Sequence, residues 1–230
     1  MRTLFITSSG TGIGKTLIVM ILAHQLRDRK KRVRVLKPVV TGFTPETAAA
    51  SDTALILHSL GDAVTAETIE AVSPWRFAEP LSPDMAAARE GGRIDLDAVV
   101  EFCRDVEGGD QDVLLIEGVG GVMAPLTETE SVLDWMALLD VPVLLVVGSY
   151  LGTISHTLTA YETLAGRGLT PHAVIVSESL ESPVPPAETK TTLARFLGGL
   201  PIELLPRLAA GEAIWRAAPD LLGPLGLAEL

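Results

Sequence analysis

Short apolar runs rich in β-branched residues alternate along this chain with longer segments whose apolar positions recur every three to four residues. Thr3–Thr7, Val33–Leu36, Val113–Ile116, Val143–Val147 and Ala173–Val176 read as strands. They are apolar throughout rather than alternately polar, which suits burial on both faces of a parallel sheet. Thr16–Asp28, Asp52–Leu60, Asp95–Cys103, Val132–Leu139, Thr153–Ala165 and Ala187–Leu197 carry helical spacing. This βαβα alternation predicts an α/β fold with a doubly wound, mainly parallel sheet flanked by helices. Thr44–Ala50 reads as a small, polar loop and Glu178–Pro186 as a Pro- and Ser-rich one. No repeat or linker divides the sequence, so residues 1–230 are expected to form a single domain. The C-terminal part, with Pro201, Pro206, Pro219 and Pro224, is expected to wrap it.

Composition narrows the class. The chain has 230 residues, 47% hydrophobic and 20% charged, ample for a buried core and unlike a disordered or collagenous protein. Eighteen Lys and Arg against 29 Asp and Glu leave a net charge of −11, which argues against a general nucleic-acid or anionic-membrane binder. A local basic pocket for phosphate is still compatible with that balance. Cys103 is the one cysteine, so neither an intrachain disulfide nor a cysteine metal cluster can form. The N-terminal segment is not a secretory signal, and the apolar run at 141–148 is far too short to span a bilayer. A cytoplasmic protein is expected.

The first strand runs into SSGTGIGKT, ending at Thr16. Gly10, Gly12 and Gly14 let the backbone fold close round an anion. Lys15 can reach terminal phosphates, and the Thr16 hydroxyl can meet a magnesium ion. A helix beginning there points its free N–H groups at the same place. The pattern GxxxxGK[ST] is met except at its first glycine, which is Ser9. The bland alternative is a glycine-rich turn with a surface lysine, but strand, turn and helix stand in the context that phosphate binding needs.

Ligands of open parallel sheets bind beyond the carboxyl ends of the strands. There the second strand delivers Lys37 and, after it, Thr41; the strand VLLI delivers Glu117, followed by Gly118, Val119, Gly120 and Gly121. Lys37 beside Lys15 would gather positive charge where phosphate sits; singly it reads equally as an exposed lysine. Glu117 suits Mg²⁺ as a Walker B acid does, or is a solvated carboxylate before a turn. Asp52 is a second magnesium candidate and equally an N-cap. Gly148–Ile154 leads into a helix whose N-terminus suits a carboxylate, unless Ser149 or Thr153 merely caps it. His24, His58, His156 and His172 lack metal-ligand spacing, no G-x-S-x-G occurs, and Cys103 has no catalytic partner in the pattern. Phosphoryl transfer is the expected chemistry, not nucleophilic hydrolysis.

Taken together, SGTGIGKT (9–16), LKPVVTG (36–42), SDTALI (51–56), PWRFAEPLSPDMAA (74–87), IEGVGGVMAPL (116–126), VVGSYLGTISHTLT (146–159) and LLPRL (204–208) resemble the dethiobiotin synthetase family of P-loop NTPases, in order and spacing. The resemblance implies ATP- and Mg²⁺-dependent closure of a ureido ring on 7,8-diaminononanoate with CO₂ or bicarbonate, through a carbamate and a carbamic–phosphoric anhydride. It implies nucleotide contacts from Gly12, Ile13, Gly14, Lys15, Thr16, Leu17, Asp52, Glu117, Gly118, Val119, Gly120, Ser177, Glu178, Leu205, Pro206 and Arg207. Thr16, Asp52 and Glu117 would hold the metal, and Lys37 with Lys15 would carry the catalysis. Thr41, Leu151, Gly152, Thr153 and Ser155 would meet the substrate, in a homodimer with its active site near the interface. Ser8, Ser9 and Gly10 depart from the family's Gly-Thr-Asp, Asp84 stands for a histidine, Ser155 for an asparagine, and Ser177 for a base-contacting asparagine; Tyr150 lies beside the substrate segment. Hydroxyl and carboxamide offer different hydrogen-bond sets.

Two other readings start from the same phosphate loop. A partitioning or regulatory P-loop ATPase often carries an extra lysine early in the phosphate loop and a basic surface; position 10 is glycine and the charge is −11. An amidating synthetase of the cobyrinate type would be expected to need a glutaminase module or partner, and 230 residues leave no room for one.

Overall fold

The computed structural model describes residues 2–211 and 213–227; Met1, Glu212 and residues 228–230, which the single-domain expectation also took in, lie outside the described residues. In chain order it runs β1 (Arg2–Ser8), α1 (Lys15–Asp28), β2 (Val33–Leu36), β3 (Val39–Thr41), α2 (Asp52–Leu60), α3 (Ala66–Val72), β4 (Trp75–Phe77), α4 (Pro83–Arg89), α5 (Leu96–Glu107), β5 (Val113–Glu117), α6 (Val132–Leu139), β6 (Val143–Val147), α7 (Thr153–Gly166), β7 (Ala173–Ser177), α8 (Pro186–Ala194) and β8 (Ile202–Leu205). The main sheet has the order β2-β5-β1-β6-β7-β8, with every pairing parallel. The doubly wound sheet expected from the apolar runs is therefore present.

The strands are apolar throughout because both faces are covered. Along β1, Leu4 and Ile6 face α1 and α2, while Phe5 faces the layer built by α5 to α8. The same alternation runs through β6, where Leu144 and Val146 join one layer and Val143, Leu145 and Val147 the other. Phe5 and Trp135 of α6, both fully buried, meet edge to face with centroids 4.9 Å apart. Replacing Trp135 with alanine is expected to cost about 3–5 kcal/mol by leaving a large cavity. A denaturant midpoint within error of the parent would show that Trp135 does not anchor this layer.

Several elements depart from expectation. The pair β3 and β4 forms a small separate parallel sheet. The loop 44–50 ends in a 3₁₀ turn at Ala48–Ala50, and α8 stops at Ala194, short of the expected Leu197. The C-terminal part supplies edge strand β8 and then packs Trp215, Leu221, Leu222, Leu225 and Leu227 into the layer of α1, so it does wrap the fold. At the end of the sheet where β2 and β5 begin, exposed Arg32 pairs with Asp112 at 2.9 Å and Asp110 at 3.1 Å. Hydrogen bonds from Arg32 hold the Asp112 carboxyl down at about 2.

Candidate active site

The opposite end of the sheet gathers the chemistry. Strand β1 delivers the loop 9–14 directly into α1, whose N-cap is Gly14 in the left-handed region at φ 104°. A side chain there is strained, and a Cβ would meet Ser177 Oγ at 3.0 Å. No side chain caps α1, so its first N–H groups stay available to an anion.

Lys15 is buried, contrary to the surface-lysine alternative. Its Nζ donates to Gly120 O at 2.6 Å, Ser8 Oγ at 3.0 Å and, more weakly, Gly10 O at 3.4 Å. Burial pushes the Lys15 ammonium down to about 8, against the pull of Glu117 and Asp52 and with the push of Lys37. Ser8, noted in the sequence only as a departure, thus sets the direction of this lysine; its place at the end of β1 was the available signal.

Lys37 follows β2 and is fixed by its backbone N–H, which donates to Val72 O at 3.0 Å. Its Nζ donates to Glu117 Oε1 at 2.8 Å, to Thr16 Oγ1 at 3.1 Å and to Asp52 Oδ2. Burial works against the Lys37 charge, but Glu117 and Asp52 outweigh it and raise its pKa above the ordinary lysine value. The exposed-lysine alternative is therefore closed.

Asp52 is free for this pairing because its neighbour does the capping. Ser51 is the N-cap of α2, its Oγ accepting from Ala54 N at 3.2 Å, and Asp52 is the first helical residue. The N-cap reading of Asp52 is overturned by one position. Glu117 ends β5 and is 1% exposed, so it is no solvated carboxylate. Its Oε1 accepts from Thr16 Oγ1 at 2.7 Å, while its Oε2 is buried with no hydrogen-bond partner.

Thr16, Asp52 and Glu117 form a hard oxygen set of one hydroxyl and two carboxylates, and the orphaned Oε2 marks room for a cation. Among the described residues no cluster of three His, Cys, Asp or Glu could hold a metal. This set instead suits an ion such as Mg²⁺, which keeps water and phosphate oxygens as its remaining ligands.

Two adjoining cavities share Gly12, Ile13 and Gly14. The first, about 340 Å³, is bounded by Lys15, Thr16, Lys37, Thr41, Asp52 and the loop Glu117, Gly118, Val119, Gly120. Gly118 is close-packed on the core, since a Cβ there would lie 2.8 Å from the Phe5 ring. The second cavity, about 570 Å³, runs over Leu17 to Ser177, Glu178, Leu205, Pro206 and Arg207. Glu178 is held there by the Arg207 backbone N–H at 2.8 Å. Tyr150, Leu208 and Ile214 also line it. Tyr150 and Leu208 stand in segments that carry the resemblance, which implies no nucleotide contact from them, and Ile214 sits in no motif.

The expected substrate residues divide. Thr41 lines the first cavity, whereas Leu151, Gly152, Thr153 and Ser155 line neither. Neither Ser149 nor Thr153 caps α7. Thr153 Oγ1 donates to Gly148 O at 2.7 Å, Ser149 Oγ pairs with Ser182, and the N-cap is Gly152 in the left-handed region. Leu151 is 85% exposed. Tyr150 Oη and His156 Nδ1 are 2.9 Å apart. Burial pushes the Cys103 thiol up to about 12, consistent with a packing role.

A family model described as an AAA domain covers residues 2–210. Among solved structures, the MinD cell division protein of Aquifex aeolicus is 15% identical with a TM-score of 0.51, covering 90% of this chain and 82% of its own. A ParA family ATPase from Chlorobium tepidum TLS is 11% identical with a TM-score of 0.53, over 90% and 84%. These low identities show the P-loop NTPase fold alone. The ATP-dependent dethiobiotin synthetase BioD of Acidiphilium cryptum (strain JF-5) is 46% identical over 87% of this chain and 91% of its own. That of Methylobacterium nodulans (strain LMG 21967 / CNCM I-2342 / ORS 2060) is 47% identical over 86% and 90%. With such identity sustained across nearly the whole of both relatives, the chain belongs to the dethiobiotin synthetase family.

Proposed function

We propose that this protein is an ATP-dependent cyclo-ligase that closes the ureido ring of dethiobiotin on 7,8-diaminononanoate with CO₂. One observation carries the reading: Lys15, Lys37, Thr16, Asp52 and Glu117 meet at the head of one cavity that opens into a second, nucleotide-sized one. The second cavity takes the nucleoside and the loop 9–16 the phosphates. One amine of the substrate captures CO₂ as a carbamate beside Thr41. A carbamate oxygen then attacks the γ-phosphorus as its bond to the ADP oxygen breaks. Lys15 and Lys37 hold the charge that develops on the phosphoryl oxygens, work for which preorganised buried cations are effective. The second amine attacks the carbonyl carbon of the anhydride, and phosphate leaves. Magnesium held by Thr16, Asp52 and Glu117 would supply further neutralisation of phosphate charge.

The uncapped start of α7, with Leu151 exposed beside it, supports a homodimer in which one subunit's α7 N–H groups meet the substrate carboxylate at its partner's cavity. Use of ATP supports a cytoplasmic location; among the described residues no helix is long and apolar enough to cross a membrane.

Phosphate release is the test. It should require diaminononanoate and bicarbonate together, and turnover without either would favour a switch ATPase of the MinD or ParA kind. Glu117→Gln should raise the magnesium needed for half-maximal turnover by about tenfold or more. An unchanged magnesium titration would remove Glu117 from the metal site.

A further inference from the structure

While Glu117 Oε2 stays without a partner, Lys37 contacts all three of the residues suited to a divalent ion. Its Nζ lies 3.1 Å from Thr16 Oγ1 and 2.8 Å from Glu117 Oε1, and it donates also to Asp52 Oδ2. An ammonium has three hydrogens, so all of them are spent on this set. Thr16 Oγ1 in turn gives its own hydrogen to Glu117 Oε1 at 2.7 Å and accepts Lys37 on one of its two lone pairs. The set therefore already has a cation, tethered by a side chain. It is needed there, because Glu117 is 1% exposed and a buried carboxylate without a partner is strongly destabilising.

We propose that Lys37 is the resident counter-ion of the metal position, and that the arriving metal displaces it toward the transferring phosphoryl group. This rests on the assignment of Thr16, Asp52 and Glu117 to magnesium made above. A divalent ion on these residues repels an ammonium hydrogen-bonded to the same two carboxylates, and it attracts the carboxylates more strongly than the ammonium does. The displacement is small in scope. The Lys37 backbone stays anchored to Val72 O, and only the flexible four-carbon stem swings, into the cavity of about 340 Å³ that Lys37 itself borders. Triphosphate alone attracts the ammonium but brings no cation to replace it beside the buried Glu117 carboxylate. Lys37 thus stays sequestered until metal is present, and metal loading becomes the event that frees the lysine for the carbamate.

The test uses Mn²⁺ as a paramagnetic probe, titrated by electron paramagnetic resonance into the full chain without nucleotide. Removing the tethered competitor in Lys37→Met should tighten Mn²⁺ binding by about tenfold or more, while Glu117→Gln weakens it. Unchanged or weaker binding in K37M, with E117Q weakened, overturns the displacement and leaves the metal site standing. Unchanged binding in E117Q overturns the metal site itself. K37M strips a buried carboxylate of its partner, so the parent chain is asked the same question directly. In its crystal structure with Mn²⁺ and a non-hydrolysable ATP analogue, the metal located by anomalous scattering, Lys37 Nζ should have left both carboxylates. Mn²⁺ on Thr16 with Nζ still hydrogen-bonded to Asp52 and Glu117 would overturn the proposal.

Discussion

Lys37→Ala will lower kcat by about 10³-fold while an ATP analogue still binds. The nucleoside cavity does not involve Lys37, and the phosphate loop keeps Lys15 and the open N–H groups of α1. What is lost is one of the two buried ammonium groups beside the reacting atoms, where low dielectric makes a charge worth far more than in water. Arginine at this position will not restore turnover, because a planar guanidinium cannot reproduce a compact charge served by three acceptors at one point. Single-turnover phosphate release measured beside analogue affinity separates the two effects. Near-parental turnover in the alanine variant would take Lys37 out of the mechanism.

The second large effect concerns Lys15. The proposed function asks the Lys15 charge to meet the phosphates, yet burial brings its pKa down to about 8. Below that pH the ammonium is present and nucleotide meets it directly. Above it, binding must first restore a proton, and each further pH unit weakens the affinity by about tenfold until Lys15 no longer charges on binding. ATP affinity measured from pH 7 to 10 should therefore fall above pH 8, with proton uptake visible as a buffer-dependent binding enthalpy. Lys15→Ala should weaken ATP binding by about 10²-fold, ADP less, and flatten the pH profile. Lys37, whose pKa is raised, stays charged over this range and does not blur the result. Equal losses for ATP and ADP, or a profile that still bends at pH 8 in the variant, would detach Lys15 from the terminal phosphate.

Much of this arrangement was legible in the residues. Five of the six strands of the main sheet announced themselves because burial on both faces demands unbroken apolar runs, and α2, α6 and α7 begin where their helical spacing begins, although for α2 and α7 not on the expected caps. Strands β3 and β4 escaped because each is three residues long, too short for any period to register. Strand β8 lay among prolines that read as wrapping chain. At the site, the phosphate loop and the strand-end Lys37 and Glu117 were visible from position alone. The role of Asp52 was not, because Ser51 and Asp52 are both good caps and only the backbone decides between them. Nor could spacing reveal that Ser8 receives Lys15, or that Ile214 lines the nucleoside cavity from some 200 residues downstream, since those contacts exist only once the sheet has formed.

Beneath the glycine loop 118–121 lies the Phe5 ring, within 2.8 Å of where a Gly118 side chain would begin, and that ring in turn stands against Trp135. A lineage adapting to a hotter or colder habitat is thereby denied the usual freedom to swap methylenes in its interior at this spot. Any such swap would lift or lower the loop that borders the cavity of Lys15 and Lys37. Exposed pairs at the far rim, such as Arg32 with Asp110 and Asp112, carry no such link to the cavity.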